Sequence, residues 1–139
     1  MKKLFLLLCV ISLTACDTSD IPGDVITQEF ERIRFVMPRA SWQIDKFVTE
    51  NGNQTADFDS IVFKFKEPDS LVVEFQELTA NGKWYYQSFP GESEKLVLEA
   101  PENVAELTDA WKILSLVNAE VHLSRKGTDT LIFKRRDSI

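Results

Sequence analysis

Cysteine is almost missing from this chain of 139 residues: there are two, Cys9 and Cys16, and both fall in the first 16 positions. Everything after them lacks a thiol, which excludes disulfides, a cysteine nucleophile and thiolate metal sites from the rest of the molecule. Histidine is as scarce. The single His122 has no second histidine or free cysteine with which to build a triad or a zinc site, and no glycine-rich phosphate loop occurs. Positive charge is in deficit, with 16 Lys and Arg against 22 Asp and Glu and a formal net charge of −6. Phosphate backbones are held by clustered Lys and Arg, so nucleic acid is not an expected partner. The densest apolar run, residues 4–11, is too short to cross a bilayer of about 30 Å as a helix. With 44% hydrophobic and 11% aromatic residues against 27% charged, what is present is the composition of a globular protein with room for one domain.

Met1-Lys2-Lys3 forms a positive n-region, residues 4–11 an apolar core, and Leu13-Thr14-Ala15-Cys16 a small-residue cleavage site ending in cysteine, the layout of an export signal. The last four residues resemble the lipobox of bacterial lipoproteins. That resemblance implies a signal peptide over 1–15, cleavage before Cys16, acylation of its thiol, and attachment to the membrane through the lipid on Cys16. Residues 16–24, polar and acidic with Pro22 and Gly23, read as the lipidated tether. The mature chain then has 124 residues and a formal charge of −8, because Lys2 and Lys3 leave with the signal. The implied address is the bacterial cell envelope, at the outer rather than the inner membrane. Asp17 beside the anchor is read differently by different bacterial sorting systems, so the leaflet stays open.

From residue 41 onward, short apolar runs alternate with period two and are separated by turn residues, which predicts strands over 41–50, 60–66, 71–77, 83–89, 95–99, 111–117, 120–126 and 130–136. Trp42, Ile44 and Val48 share one face of the first. Asn81-Gly82 predicts a hairpin turn, since both residues tolerate positive φ. Pro101, Val104 and Leu107 predict a short helix within 101–110. The expected fold is all-β: an eight-stranded antiparallel up-and-down barrel over 40–136, with that helix between strands five and six. A capping segment over 25–39 precedes it. Ile26, Phe30, Ile33 and Met37 fit a helical stripe there, whereas Ile33, Phe35 and Met37 also fit a strand.

Several strings in this region resemble the small lipocalin-like lipoproteins of Bacteroidetes, relatives of the calycin barrels. They are Ser41-Trp42, Thr55-Ala56-Asp57-Phe58 leading into Ile61-Val62-Phe63-Lys64-Phe65, Gly82-Lys83-Trp84, Leu107-Thr108-Asp109-Ala110-Trp111 and Asp129-Thr130-Leu131-Ile132-Phe133-Lys134. The resemblance covers about residues 40 to 134 and implies the calycin barrel; the glycine usual two positions before the first tryptophan is Ala40 here. A contact between Trp42 and Arg135 at the closed end would resemble the Trp/Arg pairing of true lipocalins. Leu131, Phe133 and Arg135 share a face, so Arg135 is expected either to stack on the Trp42 ring or to lie solvated near the terminus.

Eight strands leave an interior just wide enough to be filled by side chains or to hold one small ligand. Trp42, Phe63, Phe65, Phe75, Trp84, Tyr86, Trp111 and Phe133 are expected to point inward. The loops 51–59 and 100–110, carrying Phe58 and Leu107, lie together at the end away from the tether and hold Asp57, Asp59, Glu102, Glu106 and Asp109. Trp84, Tyr86, Phe58, Leu107 and Phe65 are the candidate ligand-pocket residues, because an indole N–H and a phenol O–H inside a barrel need partners that a ligand could supply. Two readings follow: a barrel binding a small apolar or amphipathic ligand, or a filled barrel acting as an envelope protein-interaction or structural module. Neither is enzymatic. No cofactor, metal or catalytic residue is expected, His122 is expected to face outward, and the chain is expected to act as a monomer. Asp59-Ser60-Ile61, Asp69-Ser70-Leu71, Asp129-Thr130-Leu131 and Asp137-Ser138-Ile139 resemble O-glycosylated tripeptides of exported Bacteroidetes proteins, although Asp and Ser also favour turns in their own right.

Overall fold

A computed structural model of the chain describes residues 31–136. The segments expected to be signal peptide (1–15) and tether (16–24), with Cys16, and the tripeptide at 137–139 lie outside the described residues, as do Ile26 and Phe30. The alternating runs form β1 (Ser41–Thr49), β2 (Gly52–Asn53), β3 (Ile61–Lys66), β4 (Ser70–Phe75), β5 (Leu78–Gln87), β6 (Lys95–Glu99), β7 (Asp109–Val117), β8 (Glu120–Arg125) and β9 (Asp129–Arg136). Leaving aside the two-residue β2, which only extends the β1 turn, each strand pairs antiparallel with its sequence neighbour, and β1 pairs with β9 to close the ring. This is the eight-stranded antiparallel up-and-down barrel expected from the sequence. Its short helix between the fifth and sixth barrel strands is the 3₁₀ segment η3 (Glu102–Leu107). Closure leaves no sheet edge to be protected.

Residues 31–36 are helical and run into η1 (Met37–Arg39), so the described part of the capping segment takes the helical reading. Ile33 and Met37, one turn apart, are fully buried in the barrel core, while Phe35 on the opposite face is 60% exposed. This helix sits at what we call the entry end, where β1 begins. The connections 67–69, 88–94 and 118–119 share that end. The far end carries 50–60 with η2 (Thr55–Phe58), the turn 76–77, 100–108 with η3, and the turn 126–128.

Two local expectations give way. The first-strand face is Trp42, Ile44 and Phe47 rather than Val48, because the β1–β9 register shifts between Ile44 and Lys46. A bulge there adds one residue and moves the inward face by one position. The Asn81-Gly82 pair is not a hairpin turn. It lies inside β5, where Gly82 faces Leu71 of β4, and the turn is Gln76-Glu77, with Gln76 at φ 56°. Gly82 is needed for proximity instead: a Cβ there would collide with the backbone carbonyl of Glu99 and press on Pro101 Cδ.

The β7–β8 turn puts Asn118 at φ 52° and Ala119 at φ 64°. Asparagine tolerates that left-handed conformation; alanine does so at a cost. Ala119→Gly is therefore expected to raise the unfolding free energy by about 0.5–1 kcal/mol, while Gly82→Ala lowers it by about 1–3 kcal/mol. Chemical denaturation of the two variants beside the parent checks both signs.

Candidate functional site: the barrel interior and its two stoppers

The interior is aromatic. Phe63, Phe65 and Phe133 are fully buried and meet edge to face, with ring centroids 5.3 Å apart for Phe63–Phe133 and 5.4 Å for Phe65–Phe133. Phe65 continues to Trp84 at 5.5 Å, and Trp84 to Tyr86 at 5.1 Å. Toward the far end Phe47 meets Phe58 at 5.3 Å and Trp111 at 6.2 Å. Edge-to-face pairs place ring hydrogens against ring faces and add about 0.5–1.5 kcal/mol each to the burial itself.

Each polar group carried inside by these rings has a partner in the chain. Trp42 Nε1 donates to Met37 O at 3.0 Å, Trp84 Nε1 to Lys66 O at 2.9 Å, Trp111 Nε1 to Leu107 O at 2.9 Å, and the Tyr86 hydroxyl to Ile33 O at 3.2 Å. Burial raises the Tyr86 phenol well above its ordinary pKa against the opposing pull of Arg34, so it stays a neutral donor.

The candidate pocket residues separate into two groups. Phe65, Trp84 and Tyr86 come together near the entry end, under the helix that offers Ile33 O. Phe58 and Leu107 lie at the far end, on the two loops that the sequence places away from the tether. They are buried, with Val104 beside them in the core, and so plug that end. The loops fold inward because η2 and η3 place their apolar residues over the barrel, while Asp57, Asp59, Glu102 and Glu106 remain exposed.

Arg135 does not make the expected stack. Trp42 and Arg135 are partners in register, but Ile33 and Met37 fill the core at that end, Met37 O takes the indole proton, and Arg135 is exposed. The guanidinium that covers a tryptophan is that of Arg125, 4.3 Å from the Trp111 ring centroid at the far end. Its Nε donates to Asp129 Oδ2 at 2.8 Å and its Nη1 to Glu106 O at 3.2 Å, with Asp109 Oδ2 at 3.5 Å from Nη1. Asp129 also accepts from Thr128 Oγ1 at 3.2 Å and is itself buried. One side chain thus joins β7, β8, β9 and η3. The signal for it was present, since Val121, Leu123 and Arg125 share a face, as do Asp129, Leu131 and Phe133. Phe47 escaped the same alternation only because of the bulge.

Two polar groups stand apart. His122, half-buried on the barrel wall, lies 3.0 Å from Glu120 Oε1. Glu94 has its Oε2 buried with no partner among the described residues, and burial, assisted by Glu31, pushes its carboxyl above the usual range.

Removing the Arg125 guanidinium strands the Asp129 carboxylate, so Arg125→Ala is expected to cost about 2–4 kcal/mol, and Arg135→Ala no more than about 0.5 kcal/mol. Urea midpoints of the two variants test this; equal losses would contradict it. For Glu94 the folded state binds its proton more tightly than the unfolded chain, so stability is complete at acidic pH and declines as pH rises through the raised pKa. Glu94→Gln should therefore raise the melting temperature at neutral pH but not below the ordinary carboxylate range, as read from melting curves at both.

The barrel is similar in structure to a lipocalin-like protein from Bacteroides uniformis, at 17% sequence identity, covering 68% of this chain and 96% of that one with a TM-score of 0.47. It is also similar to an uncharacterized protein from Bacteroides eggerthii, at 18% identity, covering 68% of this chain and 97% of that one with a TM-score of 0.43. A scan of protein-family models and a search of curated proteins both find no match.

Proposed function

We propose that the chain is a lipid-anchored lipoprotein of the bacterial cell envelope whose lipocalin-like barrel serves as a recognition scaffold rather than as a container. The anchor rests on the lipobox resemblance at Leu13-Thr14-Ala15-Cys16. The observation that carries the scaffold reading is that Trp84 and Tyr86, whose N–H and O–H gave the best reason to expect an enclosed ligand, donate instead to Lys66 O and Ile33 O. A ligand entering there must replace hydrogen bonds already made and separate rings already in contact, which costs more than filling a void. Recognition is then a property of the outside. The far end presents Asp57, Asp59, Glu102 and Glu106 to solvent on two segments fixed by buried Phe58 and Leu107, a surface suited to a basic partner protein. The reading is non-enzymatic, with the one histidine held by Glu120 on the wall, and monomeric, with every barrel strand paired on both sides.

A small apolar ligand at the entry end is the second reading. One observation favours it: Tyr86 is only partly buried, and its bond to Ile33 is the longest of the four made by interior aromatic donors. Native mass spectrometry of protein isolated from its own membrane separates the two. The expected spectrum shows acyl mass on Cys16 and no second molecule retained by the barrel. A stoichiometric apolar ligand surviving ionisation would favour the second reading, and an unmodified Cys16 would overturn the anchor.

A further inference from the structure

The large apolar side chains left in water among the described residues are Phe35, Leu78, Tyr85, Phe89, Leu114 and Val117. Their distribution is uneven. Phe35 on the helix, Phe89 in the 88–94 connection and Val117 at the last position of β7 all lie at the entry end, and only Leu78 starts at the far end. Arginine is distributed in the same sense. The chain has six, of which Arg125 is largely withdrawn from water in the far stopper, whereas Arg32, Arg34, Arg39, Arg135 and Arg136 are all exposed at the entry end.

These features meet in one corner. Ser41 faces Arg136 across the β1–β9 pair, which brings the end of η1 beside the end of β9. The Arg39 guanidinium lies 3.8 Å over the Phe35 ring, and its Nη1 donates to Phe35 O at 2.6 Å. Glu31 faces Arg34 at 3.9 Å, and the same end carries Glu67, Asp69, Glu92 and Glu94 on the loops 67–69 and 88–94, where Glu31 acts on Glu94, and Arg34 and Glu67 both act on Tyr86. On the side where η1 meets β9 the charged groups are Arg39, Arg135 and Arg136. The opposite pole carries exposed Glu50, Asp57, Asp59, Glu77, Glu102 and Glu106. The chain as a whole is acidic, so a concentration of arginine around an exposed phenylalanine is a departure from its average.

We propose that this corner docks on the surface of an anionic phospholipid bilayer. Phe35 sits at the headgroup boundary, Arg34, Arg39, Arg135 and Arg136 lie against lipid phosphates, and the acidic far end points away from the membrane. The inference rests on the lipid-anchor reading, because residue 31 enters at this same corner and only the 14 positions 17–30 separate it from Cys16. The anchor thus brings a bilayer, and not merely any partner, within reach of these residues. Guanidinium groups pair with phosphate in a forked geometry, and an aromatic ring favours the apolar–polar boundary. Each arginine near an anionic surface contributes about fivefold to the docked population, and tethering raises the local concentration so that such weak terms suffice. Docking also gives the barrel an orientation: the surface proposed for recognition faces outward, and the entry end is covered.

The test uses the acylated chain, in which Cys16 is blocked by its lipid, with one cysteine introduced by Phe35→Cys or by Asp57→Cys and labelled with an environment-sensitive fluorophore. Each is reconstituted into vesicles of phosphatidylcholine or of equimolar phosphatidylcholine and phosphatidylglycerol. The expected result is a blue shift for the position-35 label in the anionic vesicles only, and aqueous emission from position 57 in both. Adding Arg34→Glu, Arg135→Glu and Arg136→Glu removes three attractions of about fivefold each and adds three repulsions, so it should lower the docked population by more than about a hundredfold and return position 35 to aqueous emission while the protein still floats with the vesicles. Aqueous emission at position 35 in anionic vesicles, or a shift that survives the charge reversal, overturns the docking while leaving the anchor intact. Protein that fails to float with the vesicles overturns the anchor and the docking together.

Discussion

A barrel of eight strands encloses a space that a few aromatic side chains can fill, and three tryptophans and a tyrosine inside it bring four polar hydrogens that must be bonded. The strands cannot supply the acceptors, because their carbonyls are spent on the closed ladder. The acceptors come from places where the ladder stops: Met37 and Ile33 in the entry segment, Lys66 at the last position of β3, and Leu107 at the last position of η3. The segments that close the barrel are therefore conditions for its aromatic core. Without the entry helix, Trp42 and Tyr86 lose their acceptors; without η3, Trp111 loses its own.

The far end adds a charged version of the same requirement. Trp111 is held by Leu107 O through its N–H and covered on its face by Arg125. Arg125 is mostly removed from water, and its charge is met by Asp129 and by the Glu106 carbonyl. A buried ion pair of this kind adds little net stability compared with an apolar replacement, but here it ties η3 to β7, β8 and β9 through one guanidinium. The resulting structure has an aromatic, self-satisfied interior, and its chemical variety lies on the surface, basic and apolar at the entry corner and acidic at the far end.

Much of this was legible in the residues. Period-two alternation placed seven of the eight barrel strands to within two residues and began β5 five residues late, and Pro101 with Val104 and Leu107 marked η3, while the short η2 went unread. What escaped has definite causes. A bulge is a one-residue insertion in register, invisible to a pattern read along one strand, and it exchanged Val48 for Phe47 on the inner face. Gly82 carried the signature of a turn but was required by the approach of the Glu99 carbonyl, a contact between residues 17 apart. The arginine partner of a tryptophan was sought on β9 and found on β8, because the room near Trp42 is filled by Ile33 and Met37, whose placement depended on a segment that fitted helix and strand equally well. Phe65, Trp84 and Tyr86 point into the barrel from strands and Phe58 and Leu107 cover it from the far-end loops, yet whether each donor was already bonded depended on chain paths that no local pattern encodes.

An interior whose four aromatic donors are all bonded within the chain is complete without a guest. The most direct measurement is hydrogen exchange at the indole N–H of Trp42, Trp84 and Trp111, followed by NMR in protein stripped of any small molecule. Bonded to Met37 O, Lys66 O and Leu107 O within a packed core, all three protons should exchange slowly, at rates that do not change when lipid extract is restored. Rapid exchange at Trp84 in the stripped protein, slowed by adding back an apolar molecule, would mean that a ligand completes the core, and would contradict the account.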